Sequence, residues 1–181
     1  MTLLGQEIIK AEDSVTLLGV IIDDKLDFSS HVKLLLRRGN QKLHGLARIS
    51  KYVSRDKLKL IMNTFIKSQF NYCPLLWMFH SRTLNNKINK LHERALRIVY
   101  DSEELSFEEL LVLANDVTVH QKNLQRLAIE MFKVKNKIAP TPLQNIFEER
   151  DISHILRNQT TWVIPKTVSY THLTLPTSGG G

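Results

Sequence analysis

The sequence predicts a mainly α-helical fold, a bundle of about five amphipathic helices preceded by a short N-terminal β-hairpin. Three observations predict it. Apolar residues step at two up to Asp27 and at three to four from Ser29 onward. Helix-start signals recur along the second stretch, and each apolar row covers one side of its helix, so no helix is stable until it packs on another. The chain has 181 residues, 43% of them hydrophobic and 24% charged, ordinary values for a globular chain able to bury a core.

The β-prone runs are Gln6–Lys10 and Val15–Ile22, with the turn-prone Ala11-Glu12-Asp13-Ser14 between them. The expected hairpin pairs one run with the other. The first helix starts near Ser29 or Ser30, either of which can cap it, and buries Val32, Leu35, Leu36, Leu43, Leu46 and Ala47. Gly39 lies on that row, where it either permits close helix packing or weakens the helix. A second helix follows Ser54, with Leu58, Ile61, Met62, Phe65, Ile66 and Phe70 as its stripe, and Pro74 kinks or ends it.

The third helix begins after Thr83 and runs to Tyr100, burying Leu84, Ile88, Leu91, Ala95 and Ile98. Ser106 and Glu109 form a capping-box pattern for a fourth, and Thr118 with Gln121 repeats it for a fifth reaching about Ile138. Pro140 agrees with that end, and Thr141-Pro142 suits a last short turn. The domain reading is therefore a hairpin over 1–28, a helical domain over 29–157 and a disordered tail over 158–181. Within the tail, VSYTHLTLPT resembles the conceptual translation of a sequencing-library adaptor, so 168–181 are set apart as an artefact.

No apolar run approaches the roughly 18 residues of a membrane span, and MTLLGQEIIK lacks the basic and apolar regions of a signal peptide. Cys73 is the single cysteine, which excludes an internal disulfide and a cysteine-cluster zinc site. It lies in the apolar run FNYCPLLWMF and reads as a small hydrophobe; Tyr72, Trp77 and Phe79 beside it suit either base stacking or the core. The seven histidines include no HExxH or other close pair. Asp23-Asp24 after a hydrophobic strand is the way polymerase palms present carboxylates to magnesium. The plainer reading is a polar turn with Asp27 helping to start the helix.

The net charge is +7, unevenly spread. From His31 to Tyr100 fifteen Lys and Arg face two acids, Asp56 and Glu93, a local charge of +13; Asp101–Asp116 holds six acids and no Lys or Arg. Arg37, Arg38, Lys42 and Arg48 on the first helix, with Lys87, Lys90, Arg94 and Arg97 on the third, are the candidate phosphate-tracking residues. A merely solvated face ordinarily interleaves both signs for support between neighbouring turns.

The blocks LLGVIIDDKLDFSSHV, QKLHGLARIS, FIKSQFNYCPLLWMFHSR, LNNKINKLHERALRIVY, SFEELL and VTVHQKNLQRLAIEMFKVKN, in that order, resemble the region after the palm in jockey-like LINE (non-LTR) retrotransposon reverse transcriptases. The resemblance covers about Val15–Arg157. It implies that Leu17, Leu18, Gly19 and Val20 form a primer-grip-like hairpin. It also implies that Asp23 is not a metal ligand, and that the helices from Ser30 on are the thumb and the helical region beyond it. The implied partners are an RNA–DNA hybrid or other nucleic-acid duplex and the missing upstream palm, with no membrane. No catalytic or metal residue and no cofactor is expected in this chain, magnesium belonging only to the palm. The expectation is thus an inactive C-terminal fragment of an RNA-directed DNA polymerase, cytoplasmic and nuclear. A helical protein-interaction module and a non-functional remnant of a decayed element remain the alternatives.

Overall fold

The computed structural model describes the strands β1 (Thr2–Leu4) and β2 (Glu7–Ile9) and residues 12–144. The tail expected over 158–181 and the end of the helical domain at 157 lie outside the described residues. Packing divides the chain into two units, Met1–Ile129 and Glu130–Gly181.

The first unit is mainly helical behind N-terminal hairpins, with one difference in pairing. β1 pairs with β2, and β3 (Ser14–Leu17) pairs antiparallel with β4 (Val20–Asp23). The expected strand Val15–Ile22 thus folds back on itself instead of pairing with Gln6–Lys10. The reversal uses two positive-φ residues, Leu18 at 48° and Gly19 at 84°. Paired left-handed residues make the tight turn whose twist matches a hairpin.

Helix α1 (Ser29–Ile49) buries the predicted row except Ala47, which is exposed one residue beyond the buried Leu46, and neither serine caps it. Asp27 instead accepts the Ser29 N–H at 2.6 Å, as expected of a residue helping to start the helix, while the Asp23 carboxylate braces the approach by accepting the backbone N–H of Asp27 at 3.1 Å and of Phe28 at 2.8 Å. These bonds, Asp27 N–H foremost and against a smaller effect of burial, hold the Asp23 carboxyl below its usual value. The acid that ends the strand therefore holds the turn that leads into the helix.

α2 (Arg55–Ile61) continues into a π turn (Met62–Ile66) and a 3-10 segment (Lys67–Asn71). The π turn takes in an extra residue, so the buried row steps by four: Leu58, Met62, Ile66 and Phe70. Phe65, expected in the core from an ordinary helical period, is turned out and 54% exposed. A short α3 (Pro74–Trp77) follows, with Cys73 left-handed at its start and exposed, not packed as a small hydrophobe. The FNYCPLLWMF run divides: Trp77 is fully buried, whereas Tyr72 and Phe79 are exposed.

α4 (Arg82–Tyr100) is capped by Ser81, whose hydroxyl accepts the Leu84 N–H. α5 (Phe107–Ala114) has the predicted capping box: Glu109 accepts the Ser106 N–H at 2.7 Å and Ser106 Oγ accepts the Glu109 N–H at 3.3 Å. α6 (Val119–Lys135) opens on the Thr118–Gln121 box. α1 packs along α4 and along the π and 3-10 segments, and α4 on α5, around one continuous core centred on Val32, Met62, Trp77, Ile88 and Leu96. At Gly39 an added Cβ would sit 3.0 Å from Leu91 Cδ2, so this glycine serves close packing of α1 on α4. In the second unit α6 ends before the left-handed Lys137, and α7 (Thr141–Gln144) forms at the expected Thr-Pro start. Among the described residues no helix is long and apolar enough to cross a membrane.

Candidate nucleic-acid interface

The eight basic residues singled out by sequence occupy α1 and α4, which pack together, and seven of them are exposed. At about 100° per residue, Arg37 and Arg48 fall within some 20° of each other on the outer face of α1. Lys87, Lys90 and Arg94 fall within about 60° on α4. Arg94 Nη1 donates to Asn40 Oδ1 of α1 at 3.3 Å, so the α4 row borders α1 on the Asn40 side. Arg37 lies about 60° from Asn40, whereas Arg38 and Lys42 lie about 160° away on the opposite flank. The structure therefore brings Arg37, Arg48, Lys87, Lys90 and Arg94 to the two sides of one seam and leaves Arg38 and Lys42 off it.

Arg97 is occupied. Its guanidinium bonds Glu93 through Nε at 3.2 Å and Nη2 at 2.8 Å, and through Nη1 the carbonyls of Ser102 and Glu103 at 3.3 and 2.6 Å. It ties the loop after α4 back to the helix and neutralises the single acid of α4, leaving the rest of that face uniformly positive.

Leu17, Leu18, Gly19 and Val20, expected from the resemblance to be primer-grip-like, form the tip of the β3–β4 hairpin. Val20 is buried at 3% exposure, Leu17 and Leu18 are exposed, and Gly19 supplies half of the turn. Two bonds tie this hairpin to the helices: Tyr72 Oη donates to the Leu18 carbonyl at 2.8 Å, and the Ile21 N–H donates to His31 Nδ1 at 3.3 Å. His31 is thereby a neutral acceptor. Burial, then the charge of Arg38, lowers its pKa.

A second cationic place escaped sequence reading. Lys59, Asn63, Lys67 and Asn71 line a cleft of about 360 Å3 with Ala114, Asn115, Asp116 and Lys122. Lys67, 8% exposed, is paired with Asp116 Oδ2, which also lies 3.3 Å from His92 Nε2. Burial pushes the Asp116 carboxyl up, but bonds from His92 and Lys67, with the Lys67 charge, outweigh it and hold the group well below the usual carboxylate range. The available signal was a lysine or asparagine at every fourth position from 59 to 71. An α-helix drifts such a row by about 40° per step, and only the π turn keeps it in line.

Among the described residues no three His, Cys, Asp or Glu are grouped to hold a metal ion. No protein-family model, no curated protein and no solved structure matches the chain.

Proposed function

We propose that this chain is the part of a LINE-type retrotransposon RNA-directed DNA polymerase that lies after the palm and holds the template–primer duplex, without catalytic carboxylates of its own. One observation carries the reading: the rows along the α1–α4 seam, Arg37 and Arg48 facing Lys87, Lys90 and Arg94, contain a single acid, and Arg97 already neutralises it. Unpaired cations along two packed helices suit a polyanion whose charges repeat, and phosphate contacts supply affinity with little sequence choice. The exposed tip Leu17–Gly19 stands as the primer-grip-like element. The partners are an RNA–DNA hybrid and the upstream palm, which would carry the magnesium, in the cytoplasm and nucleus.

The test is the salt dependence of binding to an RNA–DNA hybrid. Replacing Arg37, Lys87 and Arg94 together by glutamine should weaken binding and lower the slope of log affinity against log salt by about 0.9 per lost phosphate contact. Weaker binding with the slope unchanged would defeat the reading. A protein-interaction module is favoured by one observation, the exposure of Phe79 (73%) and Leu76 (52%) beside α3. It predicts a partner complex insensitive to salt and lost with Phe79→Ala. Trp77→Ala is unsuitable there, because Trp77 belongs to the core.

A further inference from the structure

We infer that the cleft between the period-four row of Lys59–Asn71 and the α5–α6 loop is a binding site for a phosphate group, separate from the α1–α4 seam. Three features carry this. Lys59, Lys67 and Lys122 line it against one acid, Asp116, leaving two positive charges in excess. Asp116 is paired with Lys67 and lies 3.3 Å from His92 Nε2, which disfavours a cation as the occupant.

The donors are also held in place. Lys59 Nζ donates to the Ala114 carbonyl at 2.8 Å and Lys67 Nζ to Asp116, so each ammonium is fixed by one of its three N–H groups and keeps two. Asn71 Oδ1 accepts from Arg126 Nη2 at 2.9 Å, which leaves the Asn71 amide N–H groups as donors and brings a fourth cation beside the cleft. Arg126 Nη1 is buried and has no hydrogen-bond partner among the described residues.

Finally, the π turn lines these side chains up. Insertions of this kind are common at functional sites, since a plain helix is easier to build. Donors fixed before the ligand arrives, as those of Lys59, Lys67 and Asn71 are, lose little freedom on binding, and charge-assisted bonds to phosphate oxygens are the strong kind.

The site does not depend on the duplex reading, because its residues are not those of the seam. The phosphate could belong to a free nucleotide or to a nucleic-acid backbone, and the test separates these. The full chain is titrated by calorimetry with ADP and, in a second arm, with an RNA–DNA hybrid. The variants are Lys122→Gln, Lys122→Arg and, as a seam control, Arg94→Gln. Lys122 is half-buried and its ammonium makes no hydrogen bond among the described residues, so its replacement leaves the fold intact. The expected result is saturable ADP binding weakened about tenfold by Lys122→Gln, retained by Lys122→Arg and indifferent to Arg94→Gln. Loss confined to the hybrid arm, again for Lys122→Gln and not Lys122→Arg, would assign the site to a backbone phosphate. Binding in both arms unchanged by Lys122→Gln would overturn the proposal.

Discussion

The β3–β4 hairpin and the helices of the first unit reach a fixed position by opposite means. Each long helix from Ser29 to Ala114 sets a row of side chains into one shared core. Residues 12–28 bury only Val20 and keep Val15, Leu17, Leu18 and Leu26 exposed. What places the hairpin is hydrogen bonding and backbone geometry: Tyr72 on the Leu18 carbonyl, His31 on the Ile21 N–H, and Asp23 across the start of α1. Four of its residues, Leu18, Gly19, Leu26 and Phe28, adopt positive φ. Apolar burial is additive over many contacts and tolerates the loss of one, whereas a few bonds holding strained residues can be lost singly. The helical part should therefore respond strongly to changes inside it, and the hairpin weakly and locally.

The largest effect should come from Asp116→Ala. It leaves the Lys67 ammonium, 8% exposed at the wall of its cleft, without its partner, and breaking one half of a buried pair costs about 3–5 kcal/mol. The denaturant midpoint measures it, and a change under about 1 kcal/mol would mean that the helical part is no more tightly determined than the hairpin. Next is Gly39→Val, which forces Leu91 and the α1–α4 seam apart and should cost about 1–3 kcal/mol in the same assay.

In the hairpin, Leu18→Asn places a residue tolerant of left-handed backbone at the turn. It should raise stability by about 0.5–1 kcal/mol, with amide-exchange protection increasing in Ser14–Asp23 and nowhere else. The smallest effect is a pH slope. His31 is neutral in the fold with a lowered pKa, while in the unfolded chain it takes up a proton near its ordinary value of about 6.5. Stability should thus fall as pH falls through that value toward the lower folded pKa. The slope of the denaturation midpoint between about pH 7 and 5 should be shallower in His31→Phe, and an identical slope would remove His31 as the cause.

The same contrast explains what could be read in the sequence. The rows of α1 and α4 and the boxes at Ser106–Glu109 and Thr118–Gln121 were legible, because periodicity and capping are local. The reversal at Leu18-Gly19 was not, since leucine is a poor left-handed residue and the bonds from Asp23 to the Asp27 and Phe28 N–H groups, which hold the turn after β4, have no periodic signal. The π turn also hid, as Phe65 fits an ordinary helical stripe in sequence and leaves it in space. Of the candidate interface, residue type and helix were legible. That Arg38 and Lys42 point away from the seam depends on which flank of α1 meets α4. The pairing of Lys67 with Asp116, 49 positions apart, has no local signature at all.

The π turn also marks a place where the chain holds one residue more than a plain helix needs. In-frame loss of one codon between Met62 and Ile66 would leave a segment able to wind as ordinary α-helix. Counted from Leu58, Ile66 and Phe70 would then stand seven and eleven positions on, within about 20° of its face at 100° per residue, so the row beyond keeps its place in the core. A codon lost in the middle of α1 or α4 has no such outlet and turns every later residue of that helix by about 100°. Exposed positions such as Asn63, Thr64 and Phe65 can drift in identity. Lineages descended from this gene should accordingly accept both substitutions and single-residue deletions across the turn while shedding deletions within the two long helices.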